Sequence, residues 1–213
     1  SNVIGQLLGG MVTSIEIFLL TLLFSLPLGL VVAGGRMSKF APLRWLMKIY
    51  ISIMRGTPLM LQLIIVFFAP YYVFGISTPY MYRFYAVIIG FSLNYAAYFA
   101  EIFRGGIQSI PKGQYEGAKV LGFTYRQTMW HIVLPQVVKR VIPASSNEII
   151  TLVKDTSLAS AIPYMEVMYI AKKQVPTYAS LVPLFMAGLF YFVFAALLTL
   201  LFSYIEKKFN YYK

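Results

Sequence analysis

The sequence predicts an all-α integral membrane protein with five transmembrane helices, and three observations support this fold class. The 213-residue chain is 59% hydrophobic and only 12% charged, whereas soluble domains are about a quarter charged. Its mean hydropathy of +0.72 is too high for a water-soluble enzyme. Aromatic residues make up 17% of the chain, a content that excludes intrinsic disorder.

The apolar residues fall into five runs of the length that a membrane-spanning helix needs, about 20 residues. Polar residues interrupt only the fourth run, which contains Glu148, Lys154 and Asp155. A shorter helix over residues 42–50 is expected to lie along the membrane interface. We find no internal repeat and predict one domain, residues 1–213. The five predicted spans are residues 15–33, 57–74, 84–103, 141–162 and 178–205.

The basic residues predict the orientation of the chain. Eighteen Lys and Arg residues against seven acidic residues give a net charge of +11. Fourteen of the eighteen lie in residues 36–55, 104–140 and 207–213, which all fall on one side of the membrane if there are five spans. Cytoplasmic loops carry such an excess, so we expect the N-terminus outside and the C-terminus in the cytoplasm. Because these residues alternate with lipid-facing spans, nucleic acid is not expected as a partner.

Several kinds of chemistry are excluded by what the sequence lacks. There is no Cys, and the only His and the only Asp are His131 and Asp155. A metal site and a two-aspartate intramembrane protease are therefore not expected. The sequence contains no P-loop, no His-Glu-x-x-His and no Gly-x-Ser-x-Gly motif, so we expect no enzyme activity and no cofactor on this chain.

The longest predicted cytoplasmic stretch, residues 105–135, contains residues that typically begin and end helices, so it is expected to be folded. Gly122 is expected to end a first helix over residues 114–121 by adopting a positive φ. Thr124 has the position of an N-cap in a capping box that starts a second helix. That second helix is expected to end before Pro135. The segment is therefore predicted to be a compact pair of short helices.

Residues in this segment resemble the EAA motif of ABC importer permeases. The sequence Glu116-Gly117-Ala118 is followed after three residues by Gly122, and nine residues later by an Ile-Val-Leu-Pro stretch that ends at Pro135. Gly117 stands where the family has alanine. Other stretches resemble the polar amino acid subfamily, which includes histidine, glutamate, glutamine, arginine and cystine types: residues 55–59 with Gln62, 97–107, 111–114, 134–136, 147–148 and 154–158.

This resemblance implies a type I ABC importer (MetI-like) permease fold in the bacterial inner cell membrane. It implies that the chain translocates polar L-amino acids and pairs with a second permease chain, identical or different. It also implies two partner ATPase subunits that hold ATP and Mg, and an extracellular or periplasmic substrate-binding protein. The residues expected to couple to the ATPase are Gln114, Glu116, Gly117, Ala118 and Gly122.

Polar residues inside the predicted spans are candidates for a substrate pathway, because burying an ionisable group at mid-span costs about 2.5–3.5 kcal/mol. Glu148 and Asp155 are two helical turns apart and share a face. Two structural alternatives are open: a pair between Lys154 and Asp155, and a pair between Glu101 and the arginine one turn later. The predicted pathway residues are Asn94, Glu148, Asp155, Thr156, Ser157 and Ser160.

A second class of function is an ion-coupled amino acid carrier or channel, in which the intramembrane acids would bind protons or Na⁺. Secondary carriers usually have paired repeats and more spans, so five spans without a repeat favour the importer.

Overall fold

A computed structural model describes residues 3–209, and it is built from helices without a β-strand in that range. The helices are α1 (Val3–Arg36), α2 (Ala41–Gly56), α3 (Leu59–Phe74), α4 (Tyr82–Gln108), α5 (Lys112–Val120), α6 (Tyr125–Gln127), α7 (Leu134–Asp155), α8 (Val167–Tyr178) and α9 (Val182–Phe209). A π-helical turn, Thr128–Val133, joins α6 to α7, and a 3-10 helix, Thr156–Ala161, follows α7.

Three of these helices, α1, α4 and α9, are long and apolar enough to cross a membrane by themselves. A fourth crossing exists if α2 and α3 are counted as one span that bends by 109° at residues 57–58. The fourth predicted span corresponds to α7 and the 3-10 helix, whose charged residues keep it below the hydropathy of the other three. Each of the five predicted apolar runs is helical over most of its length, although residues 57–58 of the second run and 179–181 of the fifth lie between helices.

α1 and α4 run side by side in the same direction and form the centre of the bundle. A Cβ atom on Gly29 of α1 would lie 2.9 Å from Phe99 Cβ of α4, so only glycine permits this approach of the two helices. Both helices end on the same side of the bundle, which we call the Gln108 end. We call the opposite side, where α4 begins and α8 packs, the Tyr82 end.

The prediction of a short interfacial helix over residues 42–50 is wrong in extent. α2 continues to Gly56 and packs along α1 and α4, where the Tyr50 hydroxyl donates to the carbonyl of Leu93 near the middle of α4. Pro58 is the N-cap of α3 rather than a residue of its first turn. The sequence did not distinguish a helix that packs along α1 and α4 from an interfacial one, because a basic amphipathic stretch is typical of an interfacial helix.

The predicted break at Pro135 is also wrong. The chain stays helical from Tyr125 to Asp155, because the π-helical turn shifts the hydrogen bonding: Leu134 N–H donates to the carbonyl of Met129, five residues back. Pro135 directly follows this turn, and the shifted hydrogen bonding accommodates its missing N–H within the continuous helix. The sequence marks the proline but does not show the π-turn that accommodates it.

Helix α8 was not predicted, and residue 178, the predicted start of the fifth span, is its last residue. α8 packs against α1 and α9 at the Tyr82 end. A Cβ atom on Gly10 of α1 would lie 2.8 Å from the Cα of Val167, so the α1–α8 contact also depends on a glycine.

Candidate functional site

The two carboxylates of the predicted pathway lie on α7 and have different surroundings. Asp155 accepts a hydrogen bond of 2.7 Å from the Tyr95 hydroxyl of α4. Asp155 makes no ion pair with Lys154 or any other residue in the range 3–209, so the structural pair considered above is absent. Glu148 is half-buried and forms no hydrogen bond or salt bridge within the same range, although the charge of Arg55 acts on it. An unpaired carboxylate in a low-dielectric setting is a favourable place for a cationic group.

The hydroxyl groups after Asp155 lie in the 3-10 helix that continues α7 toward the Tyr82 end. Thr156 is buried and donates to the carbonyl of Val153, and Ser157 donates to the carbonyl of Lys154. Ser160 is half-buried and accepts a 3.3 Å hydrogen bond from the Lys172 ammonium of α8. The structure therefore brings α7, the 3-10 helix and α8 together along one polar stretch.

Asn94 has a different neighbourhood from the other pathway residues. It is 4% exposed, and its amide donates to the carbonyl of Met54 and to Gln62 Oε1. Gln62 in turn donates to the carbonyls of Met54 and Thr57. The two amides thus satisfy carbonyls that the α2–α3 bend leaves without helical partners. Asn94 makes its hydrogen bonds to this bend and none to α7, and its assignment to the pathway stays a prediction.

An ion-pair network lies where α4 approaches the Gln108 end. Arg104 holds Glu101 with two hydrogen bonds of 2.9 and 2.6 Å, which confirms the pairing considered from the sequence. Arg55, at the α2–α3 bend, lies 3.8 Å from the same carboxylate and over the Tyr98 ring. Glu101 therefore joins the bend to the last turns of α4 and is satisfied by structural partners.

Residues 105–135 contain the first of the two predicted short helices, α5, and the capped start of the second, which continues into α7 instead of ending before Pro135. Gly122 has φ = 77°, as expected for the residue that ends α5, and the Thr124 capping box is present. Of the predicted coupling residues, Gln114, Glu116, Gly117 and Gly122 are exposed, whereas Ala118 is only 2% exposed and packs inward. The surface beside them, which we call the coupling surface, exposes five large apolar side chains: Val120, Leu121, Phe123, Tyr125 and Trp130.

A buried carboxylate at the Tyr82 end was missed by the sequence analysis. Glu166 is 0% exposed, caps α8 by accepting from the N–H groups of Met168 and Tyr169 at 2.7 and 2.6 Å, and accepts from the Tyr191 hydroxyl at 2.8 Å. Burial raises the pKa of the Glu166 carboxyl above its ordinary value. The signal in the sequence was a lone acid just before an unrecognised amphipathic helix, residues 167–178.

No group of three His, Asp or Glu side chains comes together as possible metal ligands anywhere in residues 3–209. The polar groups described above are hydrogen-bond donors, hydrogen-bond acceptors and single charges distributed along the bundle. Such an arrangement offers hydrogen-bonding groups and single charges to a small polar molecule.

Comparisons with known proteins agree on one family. Residues 25–211 match the family described as "Binding-protein-dependent transport system inner membrane component". The arginine transport system permease protein ArtQ of Bacillus subtilis is 38% identical over 203 residues, covering 95% of this chain and 91% of the relative. The L-cystine transport system permease protein TcyB of the same organism is 44% identical over 154 residues, covering 72% and 64%.

Solved structures show the same fold. A chain from the crystal structure of an amino acid ABC transporter with histidines superposes with a TM-score of 0.87 at 29% identity, covering 96% of this chain and 94% of that one. A chain of the inward-facing MetNI methionine ABC transporter superposes with a TM-score of 0.72 at 18% identity, covering 98% and 96%. The chain belongs to the family of binding-protein-dependent transport system inner membrane components, and its fold is that of a type I ABC importer permease.

Proposed function

We propose that this chain is the membrane-spanning subunit of an ABC importer that carries polar L-amino acids into a bacterial cell. The observation that carries this proposal is the match to permeases named for amino acids, which extends over 95% of this chain for the arginine permease and 72% for the cystine permease. In this proposal ATP and Mg are bound by two partner ATPase subunits, a second permease chain completes the pathway, and a substrate-binding protein delivers the amino acid from outside.

The coupling surface supports a protein partner at the Gln108 end. Val120 is 87% exposed and Leu121 is 75% exposed, although both belong to a segment rich in basic and polar residues. Large apolar side chains grouped on such a projection are typical of a protein–protein contact. The exposed Glu116 and Gln114 on the same helix supply polar groups for the rim. We assign this surface to the ATPase, which would move α5 and, through it, α4 and α7.

The orientation follows from the basic residues. Five basic residues in the range 36–55 and six in the range 104–140 lie toward the Gln108 end, whereas Arg83, Lys172 and Lys173 lie at the Tyr82 end. The excess at the Gln108 end supports a cytoplasmic location for it, with the N-terminus outside and the C-terminus inside. Lys213, which also contributed to the sequence prediction, lies outside the described residues.

The substrate pathway is assigned to the polar face of α7 and the 3-10 helix. Glu148 and Asp155 are the groups that would hold the ammonium of an amino acid, because neither has an ion-pair partner in the described range. Hydroxyls and amides would take the carboxylate. Ser157 and Ser160 are half-buried and lie one turn apart in the 3-10 helix. Thr156, buried and bonded to Val153, supports the backbone there.

The experiment is reconstitution of the complete transporter in liposomes with its ATPase and binding protein. We expect ATP-dependent uptake of a polar amino acid, and no ATP hydrolysis by the purified permease alone. Gly122→Pro is expected to abolish uptake, because proline cannot adopt the positive φ at which α5 ends. Gly122→Asn is the matched control, since asparagine tolerates this conformation and should retain most of the activity.

Two results would contradict this function. Uptake driven by a proton or Na⁺ gradient without ATP would favour the ion-coupled carrier. Normal ATP-dependent uptake by the Gly122→Pro variant would show that residues 105–135 do not transmit motion from the ATPase, even if the chain is a permease.

A further inference from the structure

Helix α8 is held rigidly at both ends, although it does not span the membrane. At its N-terminus Glu166 bonds to two backbone N–H groups of α8 and to Tyr191 of α9. At its other end Gln174 donates to Gln6 of α1. The close approach at Gly10 fixes the distance between α1 and α8. Side chains on the exposed face of α8 therefore have defined positions relative to the rest of the bundle.

One of those side chains contacts the 3-10 helix that continues from α7. Lys172 donates to Ser160 Oγ at 3.3 Å, and Ser160 lies in the 3-10 helix that follows Asp155. Lys172 is exposed and forms no salt bridge in residues 3–209. Its charge is therefore available to an anion that approaches from the Tyr82 end, while Ser160 can turn its hydroxyl to donate to the same anion.

The adjacent lysine points elsewhere. Successive residues on a helix are about 100° apart, and Lys173 lines a separate cavity of about 360 Å³ between α1 and α8, together with Thr13 and Tyr169. Lys172 and Lys173 have the same charge and the same helix but face different surroundings. This difference makes Lys173 a matched control for any effect of net charge at this end of the bundle.

We propose that Lys172 and Ser160 form an outer binding site for the α-carboxylate of the transported amino acid. The inference rests on the proposed function and extends it to a site at the outer mouth of the pathway. A carboxylate bound there leaves the ammonium of the same molecule free to move on toward Asp155 and Glu148. Because every α-amino acid carries this carboxylate, the site selects for the common group and not for the side chain.

The test compares Lys172→Gln, Lys172→Arg and Lys173→Gln in the complete transporter. Direct binding of a radiolabelled amino acid is measured on the detergent-solubilised complex without binding protein, using the amino acid that the wild type imports fastest. Its carboxamide serves as a competitor that lacks the negative charge. We expect Lys172→Gln to weaken binding by about tenfold or more, and to remove the preference for the acid over the carboxamide. Lys172→Arg and Lys173→Gln are expected to keep the wild-type affinity and the preference for the acid over the carboxamide.

Three outcomes would overturn the proposal. The first is no binding of the amino acid to the wild-type complex, and the second is an unchanged acid preference in Lys172→Gln. The third is a Lys172→Gln variant that binds the amino acid normally but needs more binding protein to half-saturate uptake in liposomes. That result would assign Lys172 to the docking of the binding protein. Failure of the proposed function gives a different result: the wild-type transporter would then import no amino acid even with ATP and loaded binding protein.

Discussion

Removing the hydroxyl of Tyr191 tests how much the buried junction at the Tyr82 end stabilises the bundle. Tyr191 is 8% exposed, and its hydroxyl donates to Glu166 Oε2 at 2.8 Å. Tyr191→Phe keeps the ring and its packing and deletes the hydroxyl, which donates to Glu166 and also contacts the hydroxyls of Ser14 and Thr156. The Met168 N–H still donates to the same oxygen, so the carboxylate stays partly satisfied and α8 keeps its cap.

The expected loss is that of one buried hydrogen bond to an acidic group, about 1–3 kcal/mol. For a chain of this size each kcal/mol lowers the midpoint of thermal unfolding by about 2–4 °C. Tyr191→Phe is therefore expected to lower the apparent Tm by about 2–12 °C. The assay is a thermal melt of the purified permease in one detergent, followed by tryptophan fluorescence.

Tyr204→Phe is the control for this measurement, because Tyr204 lies on the same helix but is 67% exposed. It is expected to change the stability by less than about 0.5 kcal/mol. If Tyr191→Phe melts together with the wild type, or if both variants lose the same stability, the Glu166–Tyr191 bond does not hold α8 to α9. A double-mutant cycle with Glu166→Ala is expected to be less than additive, as for two residues in direct contact.

Three further predictions concern the pathway, the packing and the orientation. Asp155→Asn is expected to raise the half-saturating substrate concentration in liposome uptake by about tenfold or more, from loss of a charged hydrogen bond of about 1.5–3 kcal/mol; unchanged affinity and selectivity would make Asp155 a structural residue. Gly106→Ala is expected to lower the free energy of unfolding by about 1–3 kcal/mol, measured in a thermal melt, because its Cβ would collide with the Val141 side chain of α7. The Cβ of Gly105→Ala meets open space, so this control is expected not to be destabilised. In this cysteine-free chain, Ser77→Cys is expected to react with a membrane-impermeant thiol reagent added outside intact cells and Lys119→Cys is not; the reverse would invert the topology.

Local physics made much of this protein predictable from its sequence. Apolar runs of the length of a bilayer specify helices wherever they occur, because backbone groups in lipid must be paired within the segment. Gly122 and Thr124 act on their own neighbours, through a positive φ and a side-chain cap, and both were predicted correctly. The pairing of Glu101 with Arg104 was also available, since residues one helical turn apart meet whatever the tertiary structure.

What the sequence left open depends on partners distant along the chain. Asp155 receives its hydrogen bond from Tyr95, 60 residues earlier, and Asn94 bonds to Met54 across the α2–α3 bend. No spacing rule predicts such contacts, because they arise only when α2, α4 and α7 pack together. The continuation of the helix through Pro135 and the existence of α8 were missed for a related reason: each depends on hydrogen-bond partners that local propensity does not specify.

The sequence by itself therefore determined the class of protein, the helical runs, the capped projecting segment and the excess of positive charge on one side. These properties are sums over composition or contacts within one or two helical turns. The tertiary structure alone decided which polar groups are already paired, and hence which remain able to bind a substrate. Glu101 and Asn94 are bonded to structural partners, whereas Glu148 has none in the described range and Lys172 forms no salt bridge there. That difference follows from the geometry of the packed helices, since a buried polar group is available to a ligand only when no neighbouring helix has satisfied it.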